Sequence, residues 1–208
     1  MEVFFQGVLF GLALTVMVGP IFFALLQTGI EEGFRAGLKV GFGIWTSDLI
    51  YISICYIGLS YVMELVKWDN FEFYLGTIGG FILLAVGIGG LISKPIPYEG
   101  GKAIIKNSST LALWLKGFTI NTVNPFTFMF WISTMSTVVL KDEFNRGDVV
   151  IFFSAILGTI IVTDCIKIYL AKWIRNRMND KYLLWIRRGG GIVFIVFGIV
   201  LFLRVAYT

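Results

Sequence analysis

The chain has 208 residues, of which 57% are hydrophobic and only 14% are charged, and its mean hydropathy is +0.85. Soluble proteins carry about 25% charged residues, so this composition excludes an ordinary water-facing surface and indicates a membrane protein. The net charge of +4 gives no reason to expect nucleic-acid binding, and the lack of histidine excludes histidine-based nucleophile–base pairs and the usual histidine zinc sites.

Six apolar segments, each long enough to cross a bilayer as a helix of about 20 residues, follow one another along the chain. In order they cover residues 3–30, 40–63, 73–93, 117–140, 149–171 and 189–207. The first lacks a basic segment before it and is too long for the core of a signal peptide, so we expect it to be retained. We therefore predict an all-α polytopic protein with a single integral membrane domain, residues 1–208.

Lysine and arginine are concentrated in the first, third and fifth connecting segments. The positive-inside rule places these segments in the cytoplasm and both termini outside it. The sequence therefore predicts a multi-pass protein of the cell's inner (plasma) membrane.

The two halves of the chain share three features in the same order: a helix-breaking dipeptide, a carboxylate and a glycine-rich last span. The matched positions are Gly19-Pro20 with Asn124-Pro125, Asp48 with Asp164, and Gly79, Gly80 and Gly87 with Gly190, Gly191 and Gly198. Each half contains an odd number of spans, so the second half must enter the membrane from the opposite side. We predict two inverted three-helix repeats, residues 1–93 and 113–208, joined by a cytoplasmic loop at about 94–112.

Proline interrupts the first span of each half, at Pro20 and Pro125. A proline inside a helix removes a backbone hydrogen bond, and paired interruptions in inverted repeats point towards the binding site. Helix segments that start there would direct their positive dipole ends at an anion such as a carboxylate. An ordinary proline kink is the alternative interpretation.

Two carboxylates and one amine lie inside predicted spans. Asp48 is near the middle of the second span, and Asp164 and Lys167 lie in the fifth. A charge in a bilayer is costly, so we expect both aspartates to face the bundle interior and to bind an ammonium group or a coupling proton. The alternative is a protonated aspartate that bridges helices. Lys167 shares a helical face with Asp164, where it forms a local ion pair or competes with substrate or proton for that carboxylate.

Other small and polar residues in the spans allow more than one interpretation. Glycines spaced four apart favour close helix packing or a sliding surface. We expect Asn121 and Asn124 at the substrate site. A set of polar residues could also line a polar path, but the sequence does not establish which way their side chains point. The glycines are Gly29, Gly33, Gly37 and Gly41, and the path residues are Thr46, Ser47, Tyr51, Asn121 and Thr122.

These motifs together resemble the LysE/RhtB family of amino-acid exporters. The similarity covers Gly19-Pro20, the glycine-rich stretch from Gly33 to Gly43 that leads to Asp48, the segment from Gly117 to Pro125, and the last span from Arg187 to Gly198. The resemblance implies export of amino acids such as lysine, threonine, homoserine or leucine, driven by the proton motive force. In one departure, Phe126 stands where the family usually has lysine.

The leading hypothesis is a non-enzymatic secondary transporter without cofactors, which exports amino acids or related small zwitterions by proton-coupled alternating access. Its partners would be the amino-acid substrate, the coupling proton and the lipid bilayer, and a homo-oligomer stays open. An exporter of metal or other inorganic cations is the alternative, although two separated aspartates without histidine suit soft metals poorly. A membrane thiol or electron carrier using Cys55 and Cys165 is more distant, because these cysteines occupy non-equivalent repeat positions and each is more simply a buried small hydrophobe.

Overall fold

The computed structural model describes residues 1–16, 19–66, 68, 70–92, 98–99, 102–103, 108–139, 144–175 and 180–207. These residues form helices connected by short segments, with a small antiparallel β pair between the two halves. In chain order the elements are α1 Glu2–Val16, α2 Pro20–Glu31, α3 Phe34–Val66, α4 Phe71–Leu91, β1 Tyr98–Glu99, β2 Lys102–Ala103, α5 Thr110–Thr122, α6 Pro125–Val139, α7 Arg146–Arg175 and α8 Asp180–Tyr207.

Within the described residues, three helical segments are long and apolar enough to cross a membrane: Phe34–Gly58, Phe73–Leu91 and Arg146–Ile174. They coincide with the second, third and fifth predicted spans. The first predicted span is divided into α1 and α2, which are bent by 74° and count as a fourth crossing if taken together. The fourth predicted span is divided into α5 and α6, and α8 covers the sixth. The architecture is consistent with a polytopic helical membrane protein.

The first helix break follows from the backbone preferences of its dipeptide. Gly19 precedes α2 in an extended conformation, with φ −152° and ψ −166°. Pro20 is the first residue of α2. A backbone N–H at that position has no acceptor within the helix, so the lack of an N–H in proline costs no helical hydrogen bond. The dipeptide therefore starts a new helix instead of merely kinking one.

The second break uses side chains to satisfy the groups that it frees. The side-chain oxygen of Asn124 accepts a hydrogen bond from the backbone N–H of Phe126 at 3.1 Å and so caps α6. The hydroxyl of Tyr51, on α3, donates to the backbone carbonyl of Thr122 at the end of α5. Because each partner is supplied by protein, this break is compatible with membrane depth.

Glycines bring α4 and α8 into direct backbone contact, and the contacts are reciprocal. A Cβ added at Gly87 would lie 2.7 Å from the carbonyl oxygen of Gly191, and one added at Gly191 would lie 2.8 Å from that of Gly87. A Cβ at Gly198 would lie 3.0 Å from the oxygen of Gly80, and one at Gly80 would lie 3.2 Å from that of Gly198. The two helices are therefore antiparallel, and matched glycines of the two halves exchange equivalent contacts.

A second pair of glycine contacts joins the first helix of each half to the second span of the other half. A Cβ at Gly11 on α1 would lie 2.9 Å from the carbonyl oxygen of Ile156 on α7, and Gly117 on α5 meets the backbone carbonyl of Val40 on α3 in the same way. Val40 and Ile156 precede Asp48 and Asp164 by the same number of residues. These crossings therefore fix how far along its helix each aspartate lies from the contact with the neighbouring helix.

Candidate functional site

A cavity of about 200 Å³ lies between the two helix breaks. Small-molecule sites usually enclose roughly 300–1,000 Å³, so this one suits a compact ligand. Both α2 and α6 begin at its wall, and α3 and α7 cross it. Its lining residues are Leu14, Thr15, Gly19, Pro20, Ile21, Phe22, Ile44, Asp48, Asn121, Asn124, Phe126, Thr127, Ile160, Asp164, Lys167 and Phe197.

The residues singled out from the sequence converge on this cavity. Its wall contains all of them except Pro125, whose two neighbours in sequence both line it. The residues brought together are Asp48, Asp164, Lys167, Asn121, Asn124, Gly19 and Pro20.

Asp48 is held in the wall by two neutral donors. It is 1% exposed, and its Oδ1 accepts hydrogen bonds from Asn121 Nδ2 at 2.8 Å and from Trp131 Nε1 at 2.9 Å. Hydrogen bonds to an ionised acceptor are the stronger class, so these two fix the orientation of the carboxylate. Among the described residues, no lysine or arginine forms an ion pair with Asp48.

A chain of hydrogen bonds ties Asp48 to the second helix break. Asn121 donates to Asp48 and accepts from the hydroxyl of Thr127 at 3.1 Å, and Thr127 accepts from Asn124 Nδ2 at 3.0 Å. Asn124 in turn caps α6 through the N–H of Phe126. A movement of the α5–α6 break is therefore transmitted to the carboxylate.

Asp164 has a different environment, because its partner is a cation. Its Oδ1 lies 3.0 Å from Lys167 Nζ, and its Oδ2 accepts from Trp45 Nε1 at 3.1 Å. Asp164 is 2% exposed, and the Lys167 side chain is 16% exposed. The ion pair that the i, i+3 spacing suggested is thus present, and both carboxylate oxygens of Asp164 are occupied.

The start of α2 offers backbone donors to the same cavity. No side chain caps α2, whereas Asn124 caps α6. The N–H groups of the first helical turn have no acceptor within their own helix. Among the described residues, none accepts a hydrogen bond from the N–H of Ile21 or Phe22, and both residues line the cavity. Together with the positive end of the helix dipole, they form a site that favours an anionic group.

Most of the remaining wall is apolar, although Thr15 contributes a hydroxyl group. Phe126 and Phe197 pack edge to face, with ring centroids 6.1 Å apart, and Leu14, Ile44 and Ile160 add aliphatic surface. Phe126 is the residue that replaces the lysine expected from the resemblance, so an aromatic ring occupies the cavity wall at that position.

The residues expected along a polar path stabilise helix contacts instead. Apart from Asn121, none of them is among the residues that line the cavity. The hydroxyls of Ser47 and Thr122 lie 2.9 Å apart and join α3 to α5, while Thr46 donates to the carbonyl of Phe42 on its own helix.

Two of the four spaced glycines, Gly29 and Gly37, pack against a neighbouring helix. A Cβ at Gly29 would lie 2.9 Å from that of Ala171, and one at Gly37 would lie 2.5 Å from a side-chain carbon of Ile168. Both neighbours belong to α7, so these glycines allow α2 and α3 to approach that helix closely.

Three polar partners in and around the site, namely Trp45, Trp131 and Thr127, were not predicted from the sequence. The tryptophans carried a usable signal, since a tryptophan within a membrane span, away from the interface, must place its N–H on an acceptor. Which aspartate each would contact could not be read from spacing: Trp45 shares a helix with Asp48 but donates to Asp164.

The described part of the chain offers little support for the two alternative functions, export of metal cations and thiol or electron transfer. No group of three or more histidine, cysteine, aspartate or glutamate side chains there is placed to hold a metal ion. Cys55 is buried in an apolar cluster with Trp131 and Phe152, as expected of a small hydrophobe, and Cys165 is half-buried on α7.

Comparison with known proteins adds the family context. The family model described as LysE type translocator matches residues 12–204. The chain is similar to YcgF of Bacillus subtilis (strain 168), named as a candidate amino acid efflux protein, with 27% identity over 95% of this chain and 94% of that protein. It is also similar to the leucine efflux protein of Klebsiella pneumoniae, with 26% identity over 73% of this chain and 69% of that protein. No solved structure matches the chain.

Proposed function

Since the chain belongs to the LysE type translocator family, we propose that it exports an amino acid or a related small zwitterion from the cytoplasm across the inner membrane. It is accordingly a multi-pass membrane transporter and not an enzyme. The observation that carries the choice of substrate is the cavity at the helix breaks. There Asp48, a buried carboxylate with no ion-pair partner among the described residues, shares the wall with a helix N-terminus that no side chain caps. The amino acid efflux named for its relatives supports the same choice.

The two ends of the proposed substrate have complementary partners in the cavity. Its ammonium group binds Asp48, which Asn121 and Trp131 hold in position. Its carboxylate is received at the start of α2, beside the N–H groups of Ile21 and Phe22. The side chain of the substrate then faces the apolar part of the cavity wall.

Proton coupling follows from the demands of a buried carboxylate. An ionised aspartate without a nearby cation has a high free energy in a low-dielectric site. Asp48 therefore holds either a proton or the substrate's ammonium group. Competition between the two at a single carboxylate is the requirement for antiport. Asp164 is already neutralised by Lys167 and is the second candidate for the coupling proton.

Alternating access would use the inverted repeats at 1–93 and 113–208. The reciprocal contacts between Gly87 and Gly191, and the matching crossings of Gly11 and Gly117, support a two-fold relation between the halves. Exchange of conformation between two such halves opens the cavity to one side of the membrane and then to the other.

Efflux from cells loaded with a panel of amino acids tests this function. We expect the wild type to export at least one of them, Asp48→Asn to reduce that export to background, and Asp148→Asn, the same change outside the cavity, to leave it intact. Export should rise when the external pH is lowered, because the inward proton gradient then increases. Export of no amino acid above the Asp48→Asn level would contradict the proposal.

A further inference from the structure

The cavity contains two carboxylates, but only one is open to a cation. The charged residues in its described wall are Asp48, Asp164 and Lys167. Among the described residues, the donors to Asp48 are all neutral, whereas Asp164 is bound by Lys167 on one oxygen and by Trp45 on the other. A ligand therefore meets one vacant anionic position and one that the protein has already filled.

We propose that Lys167 is a specificity-determining residue, which restricts the cavity to amino acids with a single cationic group and an apolar side chain by occupying Asp164. The inference rests on the proposed function and names the substrate class of the same site. Leucine and similar neutral amino acids fit this class, and amino acids with a second ammonium or guanidinium group do not.

The position of Lys167 makes it a strong competitor for Asp164. The two residues lie on the same turn of α7, and Nζ reaches Oδ1 at 3.0 Å. A covalently attached cation acts at a high effective concentration, so a cation on the ligand must displace it from a contact that it re-forms readily. The displaced amine would be left without its carboxylate inside a membrane span, which adds to the cost.

The apolar part of the cavity wall favours the same class of substrate, amino acids with an apolar side chain. The surface near the helix breaks is formed by Ile44, Ile160 and the paired rings of Phe126 and Phe197. A charged side-chain terminus placed against these groups would lose hydration without gaining a partner. An aliphatic or aromatic side chain instead gains apolar contact.

Purified protein in vesicles loaded with radiolabelled leucine or lysine tests the proposal through the ratio of the two efflux rates. We expect the wild type to favour leucine over lysine by about tenfold or more, since one hydrogen bond to a charged group corresponds to about that factor. Lys167→Met, which removes the charge with little change in length, should shift the ratio towards lysine by about tenfold. Lys167→Arg retains a cation and should keep the wild-type preference.

A double variant identifies the group that receives the second cation. In Asp164→Asn/Lys167→Met the carboxylate is absent, so we expect the gain for lysine to disappear. The proposal is overturned if Lys167→Met keeps the wild-type ratio, if Lys167→Arg admits lysine, or if the double variant still gains lysine efflux.

The wild-type measurement stands even if Lys167→Met fails to fold. Equal efflux of leucine and lysine by the wild type would overturn this inference while leaving amino-acid export intact. Efflux of neither amino acid, nor of any other in the panel, would instead count against the proposed function.

Discussion

Replacing Gly117 by alanine should separate α3 from α5 and disturb the cavity that they build. The added methyl group would lie 2.8 Å from the carbonyl carbon of Val40 and closer still to its oxygen. Carbon atoms prefer separations of about 3.5–4.0 Å, so the helices must move apart by roughly 1 Å. The two nearest atoms belong to the backbone, so rotation of a side chain cannot relieve the main overlap.

The expected cost combines two opposing effects. Overpacking costs about 1–3 kcal/mol, and contact with backbone favours the upper end of this range. The better helix propensity of alanine returns about 1 kcal/mol. The net destabilisation is about 2 kcal/mol, which lowers the Tm by about 4–8 °C in a chain of this size.

The same shift should weaken transport. Asn121 lies one turn beyond Gly117 on α5, and its bond to Asp48 measures 2.8 Å. A separation of roughly 1 Å takes that contact beyond the ~3.2 Å limit of a good hydrogen bond. We therefore expect slower efflux from the fraction of protein that remains folded.

Thermal unfolding of the purified protein measures the effect, with Gly158→Ala as the matched control. Gly158 also lies in a helix, but an added Cβ there meets no atom within 4 Å. We expect Gly158→Ala to leave the Tm unchanged or slightly higher. Equal Tm values for the two variants would refute the close crossing of α3 and α5.

Two further predictions concern the carboxylate and the repeat. Trp131→Phe removes one of the two donors to Asp48. The initial efflux rate should then fall by about tenfold, because one charge-assisted hydrogen bond corresponds to about that factor. An unchanged rate would show that this hydrogen bond is unimportant for transport. Gly87→Ala and Gly191→Ala should lower the Tm by similar amounts, because each Cβ would meet the other residue's carbonyl oxygen at nearly the same distance; a loss confined to one variant would contradict the reciprocal packing.

Much of the site could be predicted from what a membrane does to unusual residues. A bilayer penalises a broken helix and a buried charge, so Pro20, Pro125, Asp48 and Asp164 were conspicuous in apolar surroundings. The same reasoning placed Lys167 on the face of Asp164. These residues could be recognised from the sequence because the free-energy cost of a broken helix or a buried charge arises at the residue itself.

The remaining features depend on how the helices are rotated about their axes. Trp45 on α3 donates to Asp164 on α7, and Tyr51 reaches the carbonyl of Thr122, because glycine crossings fix the register of α3 against its neighbours. Thr46 shows the same difficulty, because its hydroxyl donates to the carbonyl of Phe42 on its own helix and also accepts from Trp114 Nε1 on α5. Spacing along one helix gives a shared face but not the partner opposite that face.

We propose that the cavity between the two helix breaks binds an amino acid through Asp48 and releases it across the membrane. Efflux of radiolabelled leucine from vesicles containing the purified protein is the most direct test, with Asp48→Asn and protein-free vesicles measured in parallel. We expect rapid efflux for the wild type and efflux at the rate of protein-free vesicles for Asp48→Asn. Equal efflux rates for folded wild type and folded Asp48→Asn would contradict it.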